Sequence, residues 1–387
     1  MPVAPKKLGL AFNPFEPTAS GAPVGTDLWL PPSWSTSIKQ KLAQLGQGHG
    51  VKAIAISGEY GSGKTYILRW LQTEELPRLR IRPFYFDNPG IQFYDLANSL
   101  LRQVGRKDFA KSLWELAAIH VGPYQRSLFA RGYEEYLASS RSSRRRPTIL
   151  VDLQEAIKKS EITADDEIAH RLAMIVADTP SKPFFEYRDF IAGKRETLVA
   201  EGEEAPYFNA VLKTLRLGAG IDAVAFLMDE FEEISLQKRL TRREAHDYLV
   251  TLKRLINLTQ GENLWLIVGM TPDAVQKTKM LEPALWERFT ADGRFLFEVP
   301  PLTAEEAVEL VRRRLRAARE GEVPNPLFPF AEDFAAGLSP ATISNPRRVI
   351  KVCFYALSSI QKASMPLTAD YMREIEKKAY PTFQSEE

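Results

Sequence analysis

Apolar positions along the chain follow two rhythms. Five short runs have mostly apolar centres: VKAIAIS (51–57), RIRPFYFDN (80–88), IDAVAFLMDE (221–230), ENLWLIVGMTPD (262–273) and RFLFEVP (294–300). Runs of that length with no polar alternation predict strands covered on both faces. Pro83 should push the second run to a sheet edge or shorten it. Elsewhere the spacing is helical. Ile38, Leu42 and Leu45 recur after Ser33, Ser35 and Thr36, which offer caps, and Tyr66 to Leu76 keeps the same period. Most of 90–217 reads as helix, with amphipathic stretches YDLANSLLRQV and EIAHRLAMIVAD and a polar, basic break at SSRSSRRRP (139–147). After Pro301 the pattern is helical to about 380, opening at Thr303 with Glu305 and Glu306 behind it. Residues 1–30, rich in Pro, Gly and Thr with isolated aromatics, predict an extended arm pinned by apolar anchors. Strands alternating with helices predict an α/β fold on a parallel sheet.

Composition narrows the class. Hydrophobic residues at 44% and charged residues at 26% are globular values, which excludes wholesale disorder. Lys and Arg number 51 against 49 Asp and Glu, so any basic surface must be a local patch. The single cysteine, Cys353, excludes an internal disulfide framework and a multi-Cys zinc site, and four scattered histidines show no metal-ligand spacing. No stretch of about 18 apolar residues occurs, and the N-terminal segment has no signal-peptide pattern. The expectation is a soluble, reduced, cytoplasmic protein with no membrane partner.

Gly58-Glu59-Tyr60-Gly61-Ser62-Gly63-Lys64-Thr65 fits G-x-x-x-x-G-K-[ST] completely, between an apolar strand and an amphipathic helix. Such a loop turns its backbone N–H groups onto a phosphate, with the helix N-terminus behind it. The nucleotide-binding set is therefore Gly58 to Thr65 with Tyr66. Lys64 is expected to reach the β- and γ-phosphates of ATP, and the Thr65 hydroxyl to meet Mg²⁺. The run Val224–Met228 ends in Asp229 and Glu230. At the C-terminal end of a parallel strand, Asp229 is placed to hold Mg²⁺ and Glu230 to orient or deprotonate a water. The alternative is a pair of helix-capping acids. Glu232 and Glu233 are expected to be solvated or to meet basic partners.

Three more residues are candidates for sensing the γ-phosphate. Thr271 follows the fourth run, where it could bond the phosphate or its water, or simply form a Thr-Pro turn. Arg288, in LEPALWERF, could reach a neighbouring subunit's nucleotide, or be a surface arginine; Arg294 is its rival. Arg347, in Ser344-Asn345-Pro346-Arg347-Arg348, opens a helix from which a cation could point back to the nucleotide, or merely be solvated.

Phosphate loop, DE strand end, polar third strand end, arginine and NPR together resemble an AAA+ ATPase, in family order. More narrowly the set resembles the origin-recognition and replication-initiator clade, whose lids carry a similar G-[ND]-P-R. The lead LGLAFNPFEPT also resembles the GL…NPF start of bacterial ATPases related to the transposition regulator TnsC and the secretion ATPase ExeA. DEFEEIS with the basic segment after it is similar to P-loop proteins of BREX-type phage-defence loci. The resemblance covers about 10–90 and 205–375.

It implies an AAA+ P-loop NTPase with a five-stranded parallel sheet, a helical insertion and a C-terminal helical lid. The implied division is an arm and helix near the adenine pocket (1–50), an α/β core (51–104 and 206–300), an insertion (105–205), a lid (301–380) and a tail (381–387). Lys64 and Asp229 are 165 residues apart (229 minus 64), where one strand and its helices need only about 50–70, so roughly 90–110 residues are inserted. The chain stops near 380, leaving no room for the winged helix of replication initiators, which favours an ATPase that grips DNA through a ring or filament.

Candidate DNA contacts are Arg141, Arg144, Arg145 and Arg146 in the insertion, and Lys238, Arg239, Arg242 and Arg243 after the acidic strand end. Arg312-Arg313-Arg314 is expected at a surface or subunit interface. The functional expectation is an Mg²⁺-dependent ATPase that oligomerises on duplex DNA and loads or regulates a DNA-acting enzyme or a defence effector. The alternative is a slow, nucleotide-gated switch that recruits a protein effector without touching DNA.

Overall fold

The computed structural model describes residues 5–16, 29–47, 52–87, 99–100, 102–121, 129, 132–139, 146–177, 204–218, 221–235, 241–258, 264–291, 294–321, 323, 325–360 and 366–381. Five strands, β1 (Lys52–Ser57), β2 (Ile81–Phe86), β3 (Ala223–Met228), β4 (Leu264–Met270) and β5 (Leu296–Glu298), form one parallel sheet in the order β2-β3-β4-β1-β5. Strand β3 is buried at every position and runs in register with β2 (Ile81 opposite Ala223) and β4 (Val224 opposite Leu264). Pro83 sits in β2 without shortening it, because β2 is an edge strand and one side of it needs no ladder partner.

The helices used below are α1 (Pro32–Gln47), α2 (Lys64–Trp70), α3 (Arg106–His120), α4 (Tyr133–Ser139), α5 (Arg146–Lys159), α6 (Asp166–Ala177), α7 (Glu204–Gly218), α8 (Arg242–Leu258), α9 (Pro272–Leu281), α10 (Pro283–Thr290), α11 (Ala304–Ala318), α12 (Pro346–Ser359) and α13 (Ala369–Ala379). Helix α1 begins at Pro32, ahead of Ser33, Ser35 and Thr36, which fall in its first turn rather than capping it. Proline is pre-set for the first helical position. Helix α2 runs on into a π-helical turn, Leu71–Glu75. Thr303 and Glu306 form a reciprocal capping box at the start of α11.

The chain divides into two units, and the division cuts α1, β1 and β5. The first holds 1–43, 56–70 and 297–387; the second holds 44–55 and 71–296.

The core of the first unit is built by α11, α12, α13 and the arm. Leu8, Leu10 and Phe15 are buried among Val311, Leu315, Phe330 and Val352. Phe15 meets Phe330 edge-to-face with centroids 5.7 Å apart. Ala11 N–H donates to Ala318 O (2.8 Å), and Glu320 N–H to Gly9 O (3.1 Å), so the arm runs as a short antiparallel bridge beside the end of α11. The arm is thus part of the core that α11, α12 and α13 build.

In the second unit the sheet and helices α3, α5, α6 and α7 share one core, which joins Phe86 and Phe226 to Phe109, Leu153, Leu172 and Phe208. Trp114 of α3 stacks on Tyr136 of α4, centroids 4.6 Å apart. No described helix is long and apolar enough to cross a membrane.

Candidate phosphate loop and acidic strand end

The first unit carries the phosphate loop. It needs glycine at Gly61 (φ 81°) and Gly63 (φ 105°), both in backbone that L side chains avoid. Space forbids a side chain as well. A Cβ on Gly61 would lie 2.8 Å from Arg347 Cβ, and one on Gly63 2.8 Å from the Trp34 ring. Trp34, buried on α1, is thus the floor of the loop. Lys64 is buried, and its Nζ donates back to Gly58 O (2.8 Å) and Glu59 O (3.2 Å). The Ser62 hydroxyl is buried with no hydrogen-bond partner. An orphaned donor inside a loop of this shape fits a phosphate oxygen. Thr65 and Tyr66 are half-buried in the first turn of α2.

The NPR segment at the start of α12 reaches the same loop. Asn345 caps α12: its Oδ1 accepts from the N–H of Arg347 (3.0 Å) and Arg348 (3.3 Å), while its Nδ2 donates to Tyr60 O (3.1 Å). Arg347 N–H also lies 3.4 Å from Gly61 O. One asparagine therefore organises the helix start and ties it to the Tyr60 carbonyl of the loop. The Arg347 guanidinium lies over the Tyr60 ring.

Behind the loop, Arg314 on α11 is buried, and its Nη1 donates to Pro14 O (2.9 Å). Burial pushes its guanidinium pKa down, offset in part by Tyr66 and Cys353 nearby. This corrects the surface expectation for Arg314, the inward-facing member of its run. Arg312 and Arg313 both pair with Glu309, Arg313 at 2.8 Å.

The second unit carries the acidic strand end. Asp229 is 4% exposed, and its N–H continues the ladder to Phe86 O (2.9 Å). Its Oδ2 accepts from the Tyr85 hydroxyl (2.9 Å), and its Oδ1 from the Glu230 N–H (3.0 Å). Glu230 is exposed and takes φ 51°, a left-handed conformation rare outside glycine and asparagine. Such strain persists where neighbours enforce it. Here Phe231 N–H is tied to Gly269 O (3.2 Å), and Glu233 N–H to Glu230 O (2.9 Å). Glu232 is 8% exposed and its Oε2 has no partner, so it is not the solvated acid the sequence suggested; the tight turn after Glu230 carries it inward.

Thr271 caps α9, its Oγ1 accepting from Ala274 N–H (3.3 Å), with Pro272 at the first helical position. Its hydroxyl proton is not used by that cap. Arg288 is exposed in the last turn of α10; Arg294 is exposed with its guanidinium 5.4 Å from the Phe295 ring.

Among the basic candidates, Arg242 and Arg243 are exposed in the first turn of α8, Arg243 lying 3.8 Å from Asp247. Cations there oppose the helix dipole. Thr241 and Glu244 counter this with a reciprocal cap of 2.8 and 3.3 Å, which holds the Glu244 carboxyl below its usual range. Arg146 begins α5. Arg141, Arg144, Arg145, Lys238 and Arg239 lie outside the described residues. No group of three or more His, Cys, Asp or Glu among the described residues could hold a metal by itself.

No protein-family model and no curated protein matches this chain. Among solved structures it is similar to the ORC2 protein of Aeropyrum pernix in its ADPNP–ADP complexes. The identity is 12% and the TM-score 0.47, over 92% of this chain and 71% of that one. The ADP form of that protein matches with the same identity and TM-score, over 92% and 72%. The Aeropyrum pernix ORC1 protein in complex with DNA is similar at 13% identity and a TM-score of 0.42, over 91% and 66%.

Sequence reasoning did not single out Tyr85, Trp34 or the bridging role of Asn345. Tyr85 left a signal: a tyrosine in an apolar strand needs a partner for its hydroxyl once buried. It shares a sheet face with Leu227, its register partner, and so with Asp229 two residues on.

Proposed function

We propose that this chain is an AAA+ ATPase that binds ATP with Mg²⁺ at the 58–65 loop and hydrolyses it. One observation carries the reading: a complete phosphate loop in which Gly61 and Gly63 hold left-handed backbone and the Ser62 hydroxyl is buried with nothing to bond. In this reading Lys64 leaves the carbonyls of Gly58 and Glu59 for the β- and γ-phosphates. Residues Gly58 to Tyr66 enclose the phosphate chain, and Arg347 is the lid's cation for the third phosphate.

Thr65 and Asp229 are the residues that would hold Mg²⁺, which supplies charge neutralisation at the phosphates. Glu230, exposed beside buried Asp229, orients and deprotonates the attacking water. Thr271 donates its hydroxyl proton to that water or the phosphate. Arg288, or its rival Arg294, acts on the nucleotide of a neighbouring copy, as a solvent-facing guanidinium near a helix end is able to do.

We further propose that ATP assembles copies of the chain on duplex DNA, with Arg242 and Arg243 among the phosphate contacts, to load or regulate a DNA-acting enzyme or defence effector. The test is steady-state ATP hydrolysis by wild type and Glu230→Gln, with and without duplex DNA at two salt concentrations, with mass measured in parallel. Salt-sensitive stimulation and ATP-dependent growth in mass are expected. Stable ATP binding with no response to DNA would replace the DNA role with recruitment of a protein effector. No nucleotide binding would overturn the reading.

A further inference from the structure

Beside the acidic strand end lies a buried tyrosine to which the proposed chemistry gives no role. Tyr85 lies on the edge strand β2, 6% exposed, and its hydroxyl donates to Asp229 Oδ2 at 2.9 Å. The other carboxylate oxygen accepts the Glu230 N–H at 3.0 Å. A carboxylate offers about four lone-pair positions, so two stay open while the plane of the group is fixed from both sides. Strand β2 thus holds Asp229 twice, through Phe86 O on the Asp229 backbone and through the Tyr85 phenol on its side chain.

Tyr85 is itself held. On the side of β2 away from β3, the Gln103 side chain pairs with the Tyr85 backbone: Oε1 accepts the Tyr85 N–H (3.1 Å), and Nε2 donates to Tyr85 O (2.7 Å). One amide thereby stands in for the strand that the sheet edge lacks. Gln103 lies in the helical residues 102–104, just ahead of α3. All of these residues belong to the second unit.

We propose that Tyr85 is a positioning residue that aims the Asp229 carboxylate at the metal, and that Gln103 fixes Tyr85. This rests on the reading of Asp229 as a holder of Mg²⁺. Hydrogen bonds to a ligating carboxylate set its orientation, and removing such an outer partner typically costs about 10–100-fold in metal affinity or activity. Asp229 keeps its place in the ladder when the phenol is removed, so the loss appears in the metal and not in the fold.

The experiment compares Tyr85→Phe, Gln103→Glu and Asp229→Asn in the full chain. Mn²⁺ bound to the protein–ATP complex is titrated by electron paramagnetic resonance, the Mg²⁺ dependence of hydrolysis is measured, and ATP binding is measured in EDTA. Gln103→Glu keeps the acceptor for Tyr85 N–H and removes the donor to Tyr85 O at an exposed position, so it tests the link even where Tyr85→Phe folds poorly. Tyr85→Phe is expected to weaken Mn²⁺ about 10-fold and to raise the Mg²⁺ requirement in parallel, with metal-free ATP binding unchanged. Gln103→Glu should shift both in the same direction by a smaller factor than Tyr85→Phe, because it acts on the carboxylate through Tyr85. If Asp229→Asn weakens Mn²⁺ while the other two match wild type, the positioning proposal fails and the reading of Asp229 stands. If Asp229→Asn also leaves Mn²⁺ binding unchanged, the reading of Asp229 fails and takes the proposal with it.

Discussion

The guanidinium of Arg347 lies over the ring of Tyr60, 4.4 Å from its centroid. Tyr60 is 72% exposed, so the stack is open to solvent and within reach of competing anions. The arginine that the proposed reading assigns to the third phosphate thus has a defined resting place on the loop it would serve.

A cation–π contact at an exposed site is worth about 0.5–1 kcal/mol, or roughly 2–5-fold in an equilibrium. Tyr60→Leu should release Arg347 and tighten ATP by that factor while leaving ADP unchanged. Titration with fluorescent nucleotide analogues measures both. A parallel weakening of ATP and ADP would show that Tyr60 supports the loop instead.

Gly63 has no room for a methyl group. Gly63→Ala should cost about 2–4 kcal/mol from its backbone conformation and the clash with Trp34, and should abolish nucleotide binding. Adding Trp34→Leu removes the ring and should restore part of the stability in urea unfolding. No restoration would assign the whole cost to φ.

Glu230 combines an exposed carboxylate with left-handed backbone, and the two can be separated. Glu230→Gln should keep ATP binding, lose at least about 100-fold in turnover and leave the urea midpoint unchanged. Glu230→Asn should lose the same turnover yet gain up to about 1 kcal/mol, because asparagine tolerates this conformation. Retained turnover in either variant would remove Glu230 from the water-activating role.

Cys353 lies fully buried on α12, and burial pushes its thiol pKa far above the usual range. A thiolate is the reactive form, so a disulfide-exchange reagent should label the native protein only as the first unit opens. The labelling rate should rise with urea in step with loss of the chain's circular dichroism signal. Rapid labelling in buffer would contradict the packing of α12 described here.

The strands were legible because a run apolar on both faces has few other uses, and of the two outcomes Pro83 offered, an edge place or a shortened strand, β2 shows the first. The phosphate loop was legible because its glycines and lysine act locally. What the sequence hid depended on partners far away along the chain. Nothing in RRR (312–314) says that Arg314 turns inward to Pro14, 300 residues earlier. Nothing near Asp229 names Tyr85, 144 residues before it. Glu232 read as solvated because acids usually are, and the turn after Glu230 overrode that preference.

The packing of the arm among α11, α12 and α13 has a consequence in time. Residues 71–296 all lie between Phe15 and the helices that cover it. At about 5–20 residues per second, a ribosome needs roughly 15–60 s to span 300 residues, so Leu8, Leu10 and Phe15 emerge long before their partners exist. Over that interval three bulky apolar side chains stay wet on a growing chain while the whole second unit is made. Synthesis therefore delivers this protein from the inside out, and the unit that holds the phosphate loop is closed last.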